Sequence, residues 1–321
     1  MADLGFYHHE ACSRHDTGWR HPEHQGRLRG LMGALEKAML DLQGHFIPVE
    51  GPLAGRDLLE GVHLSAHVDA VRDAARRAED SGGTVSLDAD TVVSGGSWDA
   101  ARAASGCAVA AVEAVAEGEH GTAFCGVRPP GHHATPDRAM GFCLFNHVAV
   151  AARHAVDRGL AERVLIVDWD VHHGNGTQEI FYRDPDVFYL SVHQSPFYPG
   201  TGSEDERGEG PGEGTTLNRP MPPGLEPGRY VDALLEGVEE VRDSGFEPEL
   251  VLVSAGFDGC DGDPIGGFTL REEDYREMTR ELTRRTRETA EGRVVSVLEG
   301  GYDPDALGRH AVAHLKELAG C

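Results

Sequence analysis

The apolar run from Val164 to Val167 passes directly into a polar stretch from Asp168 to Gly176. The run has no polar alternation, which predicts a strand buried on both faces, as in a parallel sheet. Ligands of open parallel sheets bind beyond the carboxyl ends of the strands. The polar stretch follows the strand at once and contains aspartates, histidines and glycines, so it predicts a binding site at that end.

Asp168, Asp170 and His172 alternate along this stretch, so an extended backbone projects their side chains to the same side. A carboxylate oxygen and an imidazole nitrogen can then share one cation. The alternative is that the aspartates cap the following helix. That arrangement would leave unpaired charge inside the sheet, so the pattern favours a cation site.

The rest of the chain alternates between apolar runs and segments with helical spacing of apolar residues. Strands are predicted at 121–127, 187–193, 250–255 and 294–298, and helices at 22–42, 58–77, 97–117, 148–158, 178–182, 229–244 and 272–288. We expect 4–7 to be an edge strand and 198–228 to be a long loop. Right-handed crossovers between such strands give an α/β fold, with residues 1–321 forming one domain. Its sheet should be open, mainly parallel and flanked by helices.

Composition limits the partners of the protein. The formal net charge is -25, with 54 Asp and Glu residues against 29 Lys and Arg residues. This charge argues against direct binding to nucleic acid and would attract cationic substrates. The six cysteines show no CxxC pair, and no apolar segment is long enough to span a bilayer. We therefore expect a cytoplasmic protein that does not associate with membranes. The sequence contains no feature that predicts the oligomeric state.

Three further strand ends carry polar groups. His132 and His133 follow the strand at 121–127, after a turn fixed by two prolines and a glycine. A lone histidine is more often structural, but two after a rigid turn favour proton transfer. Asp258 follows the strand at 250–255, and Tyr302 follows the one at 294–298.

These residues can be assembled into one site. Asp170, His172 and Asp258 supply three ligands and leave a coordination position open, as in catalytic rather than structural zinc sites. Such a metal polarises a carbonyl group and lowers the pKa of bound water. Ferrous iron accepts the same ligands. His132 and His133 would then be the proton-transfer groups and Tyr302 an oxyanion donor, although a tyrosine at a glycine turn can also be purely structural.

Five motifs occur in order between about His21 and Tyr302: Arg128-Pro-Pro-Gly-His-His, Gly141-Phe-Cys-Leu-Phe-Asn, Asp168-Trp-Asp-Val-His-His-Gly-Asn-Gly, Ser254-Ala-Gly-Phe-Asp and Glu299-Gly-Gly-Tyr. Together they resemble the histone deacetylase family, in a class II-like form related to acetylpolyamine amidohydrolases and acetoin-utilisation proteins. The resemblance implies an arginase-like α/β fold and zinc-dependent hydrolysis of acetylated amines.

The resemblance also implies roles for individual residues. Those matching Asp170, His172 and Asp258 bind zinc, and those matching His132 and His133 share general acid and base work. The family residue that matches Tyr302 polarises the acetyl carbonyl, and the one that matches Asp168 orients the first histidine. A structural potassium ion would be bound by Asp168, by the backbone carbonyls of Asp170 and His172, and by the Ser191 hydroxyl.

A substrate tunnel is implied in the same way. Phe142, after Gly141, matches one aromatic wall and Tyr198 matches the other. Asp88 or Asp90 lies where the family has a rim carboxylate that holds the substrate backbone, and the sequence does not decide between them. Ile265 occupies the tunnel-mouth position at which polyamine-selective vertebrate members carry a glutamate, which favours other substrates over polyamines.

The sequence departs from known patterns at Asn175 and Gly174, and two alternative functions have to be weighed. Asn175 replaces the aspartate that partners His133 in class I members, a class II-like choice that changes the charge beside this histidine. A binuclear manganese ureohydrolase would need a ligand where Gly174 stands. A non-catalytic acyl-lysine reader would tolerate loss of the histidines or Tyr302, and none is lost. Acetylated protein lysine, acetylpolyamine and other small acyl amines all remain open as substrates.

Overall fold

The computed structural model describes residues 3–321, and an eight-stranded sheet dominates it. The strands in chain order are β1 (Leu4–His8), β2 (Phe46–Glu50), β3 (Thr84–Ser86), β4 (Val92–Ser94), β5 (Thr122–Cys125), β6 (Val164–Asp168), β7 (Val187–Gln194), β8 (Thr216–Met221), β9 (Leu250–Ala255) and β10 (Val294–Leu298). The main sheet has the order β2-β1-β5-β10-β9-β6-β7-β8. All of its paired strands run parallel, while β3 and β4 form a small antiparallel pair.

Helices cover both faces of the sheet. They are α1 (Gly26–Leu42), α2 (Arg56–Glu60), α3 (Ser65–Ser81), α4 (Ser97–Ala116), α5 (His147–Asp157), α6 (Asn175–Phe181), α7 (Pro227–Asp243), α8 (Glu272–Ala290) and α9 (Pro304–Ala319). The apolar residues of α1, α7, α8 and α9 belong to one core, and those of α3, α4 and α5 to the other. None of the helices within residues 3–321 is long and apolar enough to cross a membrane.

The strand β6 shows why apolar runs predict this sheet. Leu165 and Val167 pack into the core below α1, α7, α8 and α9, whereas Val164 and Ile166 pack into the opposite core. Side chains alternate between the faces of a strand, so a strand covered on both sides needs apolar residues at every position. The predicted single-domain α/β fold with an open, mainly parallel sheet is confirmed.

Some predicted boundaries and one assignment of strand position are wrong. β1 is an interior strand, because β2 pairs along its other side and forms the edge. The predicted loop 198–228 contains β8, the opposite edge strand. Edge strands are paired on one side and can carry proline and polar residues, so neither Pro48 in β2 nor Pro220 in β8 prevents pairing. The predicted helix 58–77 is two helices, α2 and α3.

The strand order positions the functional residues. β5, β10, β9, β6 and β7 are consecutive neighbours in the sheet. Since they are parallel, their carboxyl ends meet at one edge. The segments that follow these five strands therefore lie side by side, although they are far apart in sequence.

Helices α1 and α9 approach closely at Gly30. A Cβ atom on Gly30 would lie 2.1 Å from the carbonyl oxygen of Pro304, whereas a Cβ atom on Gly33, in the same helix, would meet nothing within 4 Å. Helix α1 therefore has no room for a side chain at Gly30, but it has room for one at Gly33.

We predict that Gly30→Ala destabilises the protein by about 1 to 3 kcal/mol through overpacking. Gly33→Ala, its matched control, should stabilise the protein by up to about 1 kcal/mol, because alanine favours a helix over glycine. Denaturant unfolding of both variants measures the two effects. Shifts of the same sign in both would contradict the close α1–α9 contact.

Candidate metal centre and active site

Three predicted metal ligands converge at the carboxyl edge of the sheet. Asp170 and His172 follow β6, and Asp258 follows the adjacent strand β9. One donor atom from each residue lies within 4.8 Å of the other two. His172 Nδ1 is 3.0 Å from Asp170 Oδ1 and 3.2 Å from Asp258 Oδ2. All three side chains are buried.

The electrostatics of this group fit a divalent cation. Burial and the neighbouring Asp170 raise the pKa of Asp258 to about 7. Burial alone would raise the pKa of Asp170 as well, but His132 and His172 outweigh it and lower that pKa. Asp258 Oδ2 is buried, and its charged neighbour His172 lies 3.2 Å away through Nδ1. Because two buried carboxylates are costly without a compensating cation, two carboxylates and one imidazole here form a suitable metal-binding group.

Backbone groups hold the two carboxylates in place. The Val171 N–H donates to Asp258 Oδ1 at 2.9 Å, and the Gly300 N–H donates to Asp170 Oδ2 at 2.8 Å. A Cβ atom at Gly300 would lie 2.0 Å from Asp258 Oδ2. The glycine after β10 therefore provides both a donor and the space in which the carboxylates meet.

The two tandem histidines lie beside this group with different partners. His132 Nδ1 is 3.0 Å from Asp168 Oδ2, and His133 Nδ1 is 2.8 Å from Asn175 Oδ1. Burial alone would lower the pKa of His132, but Asp168 and Asp170 outweigh it and raise that pKa to about 10. Burial and the adjacent His132 hold the pKa of His133 well below its usual range. The pair thus combines a charged imidazole with a neutral one.

Glu299, at the end of β10, fixes the turn that carries the histidines. Its Oε2 atom accepts hydrogen bonds from the Gly131 N–H at 2.6 Å and from the His132 N–H at 3.1 Å. Burial raises the pKa of Glu299 to about 7. No role was predicted for Glu299 beyond its place in the Glu299-Gly-Gly-Tyr motif. A carboxylate directly after an apolar strand was the available signal.

Tyr302 lies two residues beyond Gly300, whose N–H bonds the Asp170 carboxylate. Its backbone N–H donates to Asp263 Oδ2 at 2.7 Å, and the Arg27 guanidinium lies 4.9 Å from the centre of its ring. The Arg27 Nε donates to Gly301 O at 2.7 Å and so supports the same turn. Among residues 3–321 the Tyr302 hydroxyl has no hydrogen-bond partner, although the side chain is buried. A hydroxyl that served only a local backbone group would have one.

The predicted tunnel residues flank these groups. The Phe142 ring lies 5.7 Å from the Tyr302 ring, and the Tyr198 ring lies 5.1 Å from the His133 ring. Phe142 has φ 68 and follows Gly141 with φ 56, so two successive residues adopt left-handed backbone conformations that turn the phenylalanine toward the site.

Neighbouring groups support the tunnel walls. The Phe142 N–H donates to Thr91 Oγ1 at 3.1 Å. The Ile265 N–H donates to Asp263 Oδ1 at 3.0 Å, and Asp263 in turn binds the backbone of Tyr302. Ile265 is therefore connected to the site through Asp263. His21, whose ring lies 4.7 Å from the Phe142 ring, was not among the predicted site residues.

Asp88 and Asp90 have different surroundings. Asp88 Oδ1 accepts hydrogen bonds from the Asp90 N–H at 3.0 Å and from the Thr91 N–H at 2.7 Å, which closes its own turn. Asp90 Oδ1 accepts one from the Thr91 hydroxyl at 3.1 Å. Burial and the neighbouring Asp88 raise the pKa of Asp90. The Asp88 carboxylate thus accepts the backbone hydrogen bonds of the turn, while the Asp90 carboxylate accepts fewer hydrogen bonds from the protein.

Ser191 and Asp168 are register partners on β7 and β6. Both are buried, and the Ser191 hydroxyl lies 2.9 Å from His193 Nδ1. Asp168 Oδ1 accepts a hydrogen bond from the Asp170 N–H at 3.1 Å. The side chains predicted to bind potassium are therefore adjacent.

Sequence comparisons identify similar proteins along nearly the whole chain. The family model described as the histone deacetylase domain matches residues 21–318. A probable deacetylase of Archaeoglobus fulgidus is 39% identical over 299 residues, which cover 93% of this chain and 81% of that protein. Histone deacetylase 5 of Arabidopsis thaliana is 37% identical over 98% of this chain, and histone deacetylase 7 of Homo sapiens is 39% identical over 92%. The chain spans 49% of the plant protein and 33% of the human one.

A solved structure has the same fold as this chain. The crystal structure of the HDA15 HD domain superposes with a TM-score of 0.91 at 37% sequence identity, covering 99% of this chain and 88% of that one. The fold of this chain is therefore the fold of that domain, and the family model covers all the segments from His132 to Tyr302. The chain belongs to the histone deacetylase family.

Proposed function

We propose that this protein is a zinc-dependent hydrolase that removes the acetyl group from N-acetyl-lysine residues of proteins. The observation that carries the proposal is the position of Tyr302. Its buried ring lies 5.7 Å from the Phe142 ring, at the same edge of the sheet as three metal-binding side chains and two histidines. An acyl-lysine reader has no need of this combination.

Asp170, His172 and Asp258 would hold the metal, and ferrous iron would suit the same ligands. When bound, the metal polarises the amide carbonyl and lowers the pKa of a water molecule. The coordination set contains two carboxylates and therefore nearly neutralises a dication. This leaves the adjacent residues to orient the substrate and to move protons.

His133 is the proposed proton carrier. Asn175 Oδ1 accepts a hydrogen bond from its Nδ1, so the neutral ring has its lone pair on Nε2. Nε2 can take a proton from the attacking water and deliver it to the departing amine. His132 is held in its charged form by Asp168 and would stabilise negative charge that develops during attack. The Tyr302 hydroxyl would donate a hydrogen bond to the acetyl oxygen as it becomes an oxyanion.

The residue types at the proposed entrance favour acetyl-lysine as the substrate. Phe142 and Tyr198 form aromatic walls suited to an alkyl stem that bears a neutral amide. We assign the rim carboxylate to Asp90, because the turn already uses Asp88. Ile265 provides no charge at the tunnel mouth, which disfavours a polyamine with a second cationic group. Acetylpolyamine and other small acyl amines are the alternative substrates.

A structural potassium ion is proposed next to the active site. Asp168 and the Ser191 hydroxyl lie side by side, and the backbone carbonyls of Asp170 and His172 belong to the adjoining segment. Oxygen ligands of this kind suit a hard cation. Such an ion would fix the segment that carries the metal-binding residues.

We predict that Asp258→Ala lowers bound metal to below about one tenth of the wild-type level, because two remaining ligands cannot compete with water. Asp261→Ala, which removes an exposed carboxylate three residues along the chain, should retain full metal. Elemental analysis after zinc loading measures both. Full zinc in the Asp258 variant would contradict the ligand assignment.

Tyr302→Phe should lower kcat by a factor of about 10² to 10³, the usual effect of losing one oxyanion donor. Metal content, melting temperature and affinity for a hydroxamate inhibitor should change little, since the hydroxyl has no protein partner. Turnover is measured with an acetyl-lysine peptide and with acetylspermidine. A kcat within threefold of wild type would remove Tyr302 from the reaction, and faster turnover of acetylspermidine by wild type would favour the polyamine alternative.

Asp90→Asn should raise KM for an acetyl-lysine peptide about tenfold, the equivalent of roughly 1.4 kcal/mol from one charge-assisted hydrogen bond. Asp88→Asn is the matched control at two residues' distance and should act mainly on stability, through its turn. Steady-state kinetics and thermal unfolding of both variants separate the two effects. The reverse pattern would assign the rim to Asp88.

A further inference from the structure

We infer that Tyr189 is a positioning residue for the proposed hydrolysis, in that its hydroxyl holds the Asp168 carboxylate in the orientation that aligns His132. The inference rests on the proposed function, because it assigns a role in the same site. Tyr189 lies in the middle of β7, and the five motifs of the sequence do not include it.

The Tyr189 hydroxyl donates to Asp168 Oδ2 at 2.9 Å. The same oxygen lies 3.0 Å from His132 Nδ1, and the other carboxylate oxygen accepts from the Asp170 N–H at 3.1 Å. Three hydrogen bonds therefore fix the carboxylate, and removal of any one of them would let it rotate. A tyrosine hydroxyl is neutral near pH 7 and can donate to a carboxylate without altering its charge.

The register of the sheet explains how Tyr189 reaches Asp168. Tyr189 pairs with Ile166, and Ser191 pairs with Asp168 on the neighbouring strand. Tyr189 and Ile166 pack into the same core, so the two side chains lie on the same face of the sheet. Asp168 is two residues beyond Ile166 and projects to that face as well. The long tyrosine side chain therefore reaches from its own register position, opposite Ile166, to the side chain two residues further along β6.

Gly174 supplies a second, independent observation. A Cβ atom on Gly174 would lie 2.3 Å from Asp168 Oδ2, 2.6 Å from the Tyr189 hydroxyl and 3.0 Å from His132 Nδ1. The three polar atoms thus converge on one point that is free because residue 174 has no side chain. The three nearest atoms to this position all belong to the hydrogen-bonded chain Tyr189–Asp168–His132.

Packing alone does not account for the hydroxyl. The Tyr189 side chain is fully buried, and a phenylalanine would fill the same apolar space in this core. Burial of a hydroxyl is costly unless it is hydrogen-bonded, and among residues 3–321 its bonded partner is Asp168. The atom that distinguishes tyrosine from phenylalanine therefore acts on the residue that orients His132.

The test is Tyr189→Phe, with Tyr275→Phe as the matched control. Tyr275 is also fully buried, and its hydroxyl has no hydrogen-bond partner within residues 3–321. Loss of a group that orients an active-site residue typically costs a factor of about 10 to 100. Tyr189→Phe should lower kcat by that factor, with KM within about twofold of wild type and an unchanged zinc content. Tyr275→Phe should retain the wild-type kcat.

A spectroscopic readout separates positioning from a general loss of stability. The His132 Nδ1–H that donates to Asp168 should give a low-field proton resonance, identified by its absence in His132→Ala. It should shift in Tyr189→Phe and stay in place in Tyr275→Phe. An unchanged resonance together with a kcat within threefold of wild type would overturn the inference, as would loss of zinc, which would make Tyr189 a support of the metal site instead.

The inference can still be tested if the variant does not fold or if the wild-type protein is inactive. If Tyr189→Phe does not fold, Gly174→Ala tests the same chain, because its methyl group must displace Asp168 or the Tyr189 hydroxyl, and the same loss of kcat is expected. If wild-type protein deacetylates no substrate, the proposed function fails, but the His132 resonance still reports whether Tyr189 fixes Asp168. The two failures can therefore be told apart.

Discussion

The rest of the site depends on the convergence of two buried carboxylates, Asp170 and Asp258, beside His172. Like charges this close are unfavourable in a protein interior unless a cation or a proton compensates them. The protein supplies backbone N–H donors from Val171 and Gly300, and His172 Nδ1 lies 3.2 Å from Asp258 Oδ2. A divalent cation would supply the compensating charge at this edge of the sheet, and the proposed catalytic groups lie around it.

The parallel sheet produces this convergence. Each ligand follows a strand, and the adjacent order of β5, β10, β9, β6 and β7 places segments from five parts of the chain within one site. Support for the reactive groups comes from the same edge: Glu299 holds the backbone of the histidine turn, while Asp168 and Tyr189 hold the His132 ring. Rigid strands therefore fix both ends of each hydrogen bond, as precise catalytic geometry demands.

The sequence predicted the parts of the fold whose physical signal is local. β9 and β10 are apolar runs that contain one serine each, Ser254 and Ser296, and their predicted bounds match the structure. The edge strands β2 and β8 each contain a proline and several residues that are not buried, so their pairing depends on neighbours that the sequence does not reveal. Tyr189 was missed for a related reason. It alternates with Ser191 and His193 along β7, but its contact with Asp168 follows from strand order and register, which are properties of the whole sheet.

The central claim is that this edge of the sheet activates water for attack on an acetylated amine. The most direct measurement is hydrolysis of an acetyl-lysine peptide by zinc-loaded protein in ¹⁸O-labelled water, with mass spectrometry of the products. We expect a peptide with an unmodified lysine side chain and acetate that has gained one labelled oxygen, and no release of acetate after the metal is removed. Binding of the peptide without release of acetate, or release of acetate that carries no label, would contradict it.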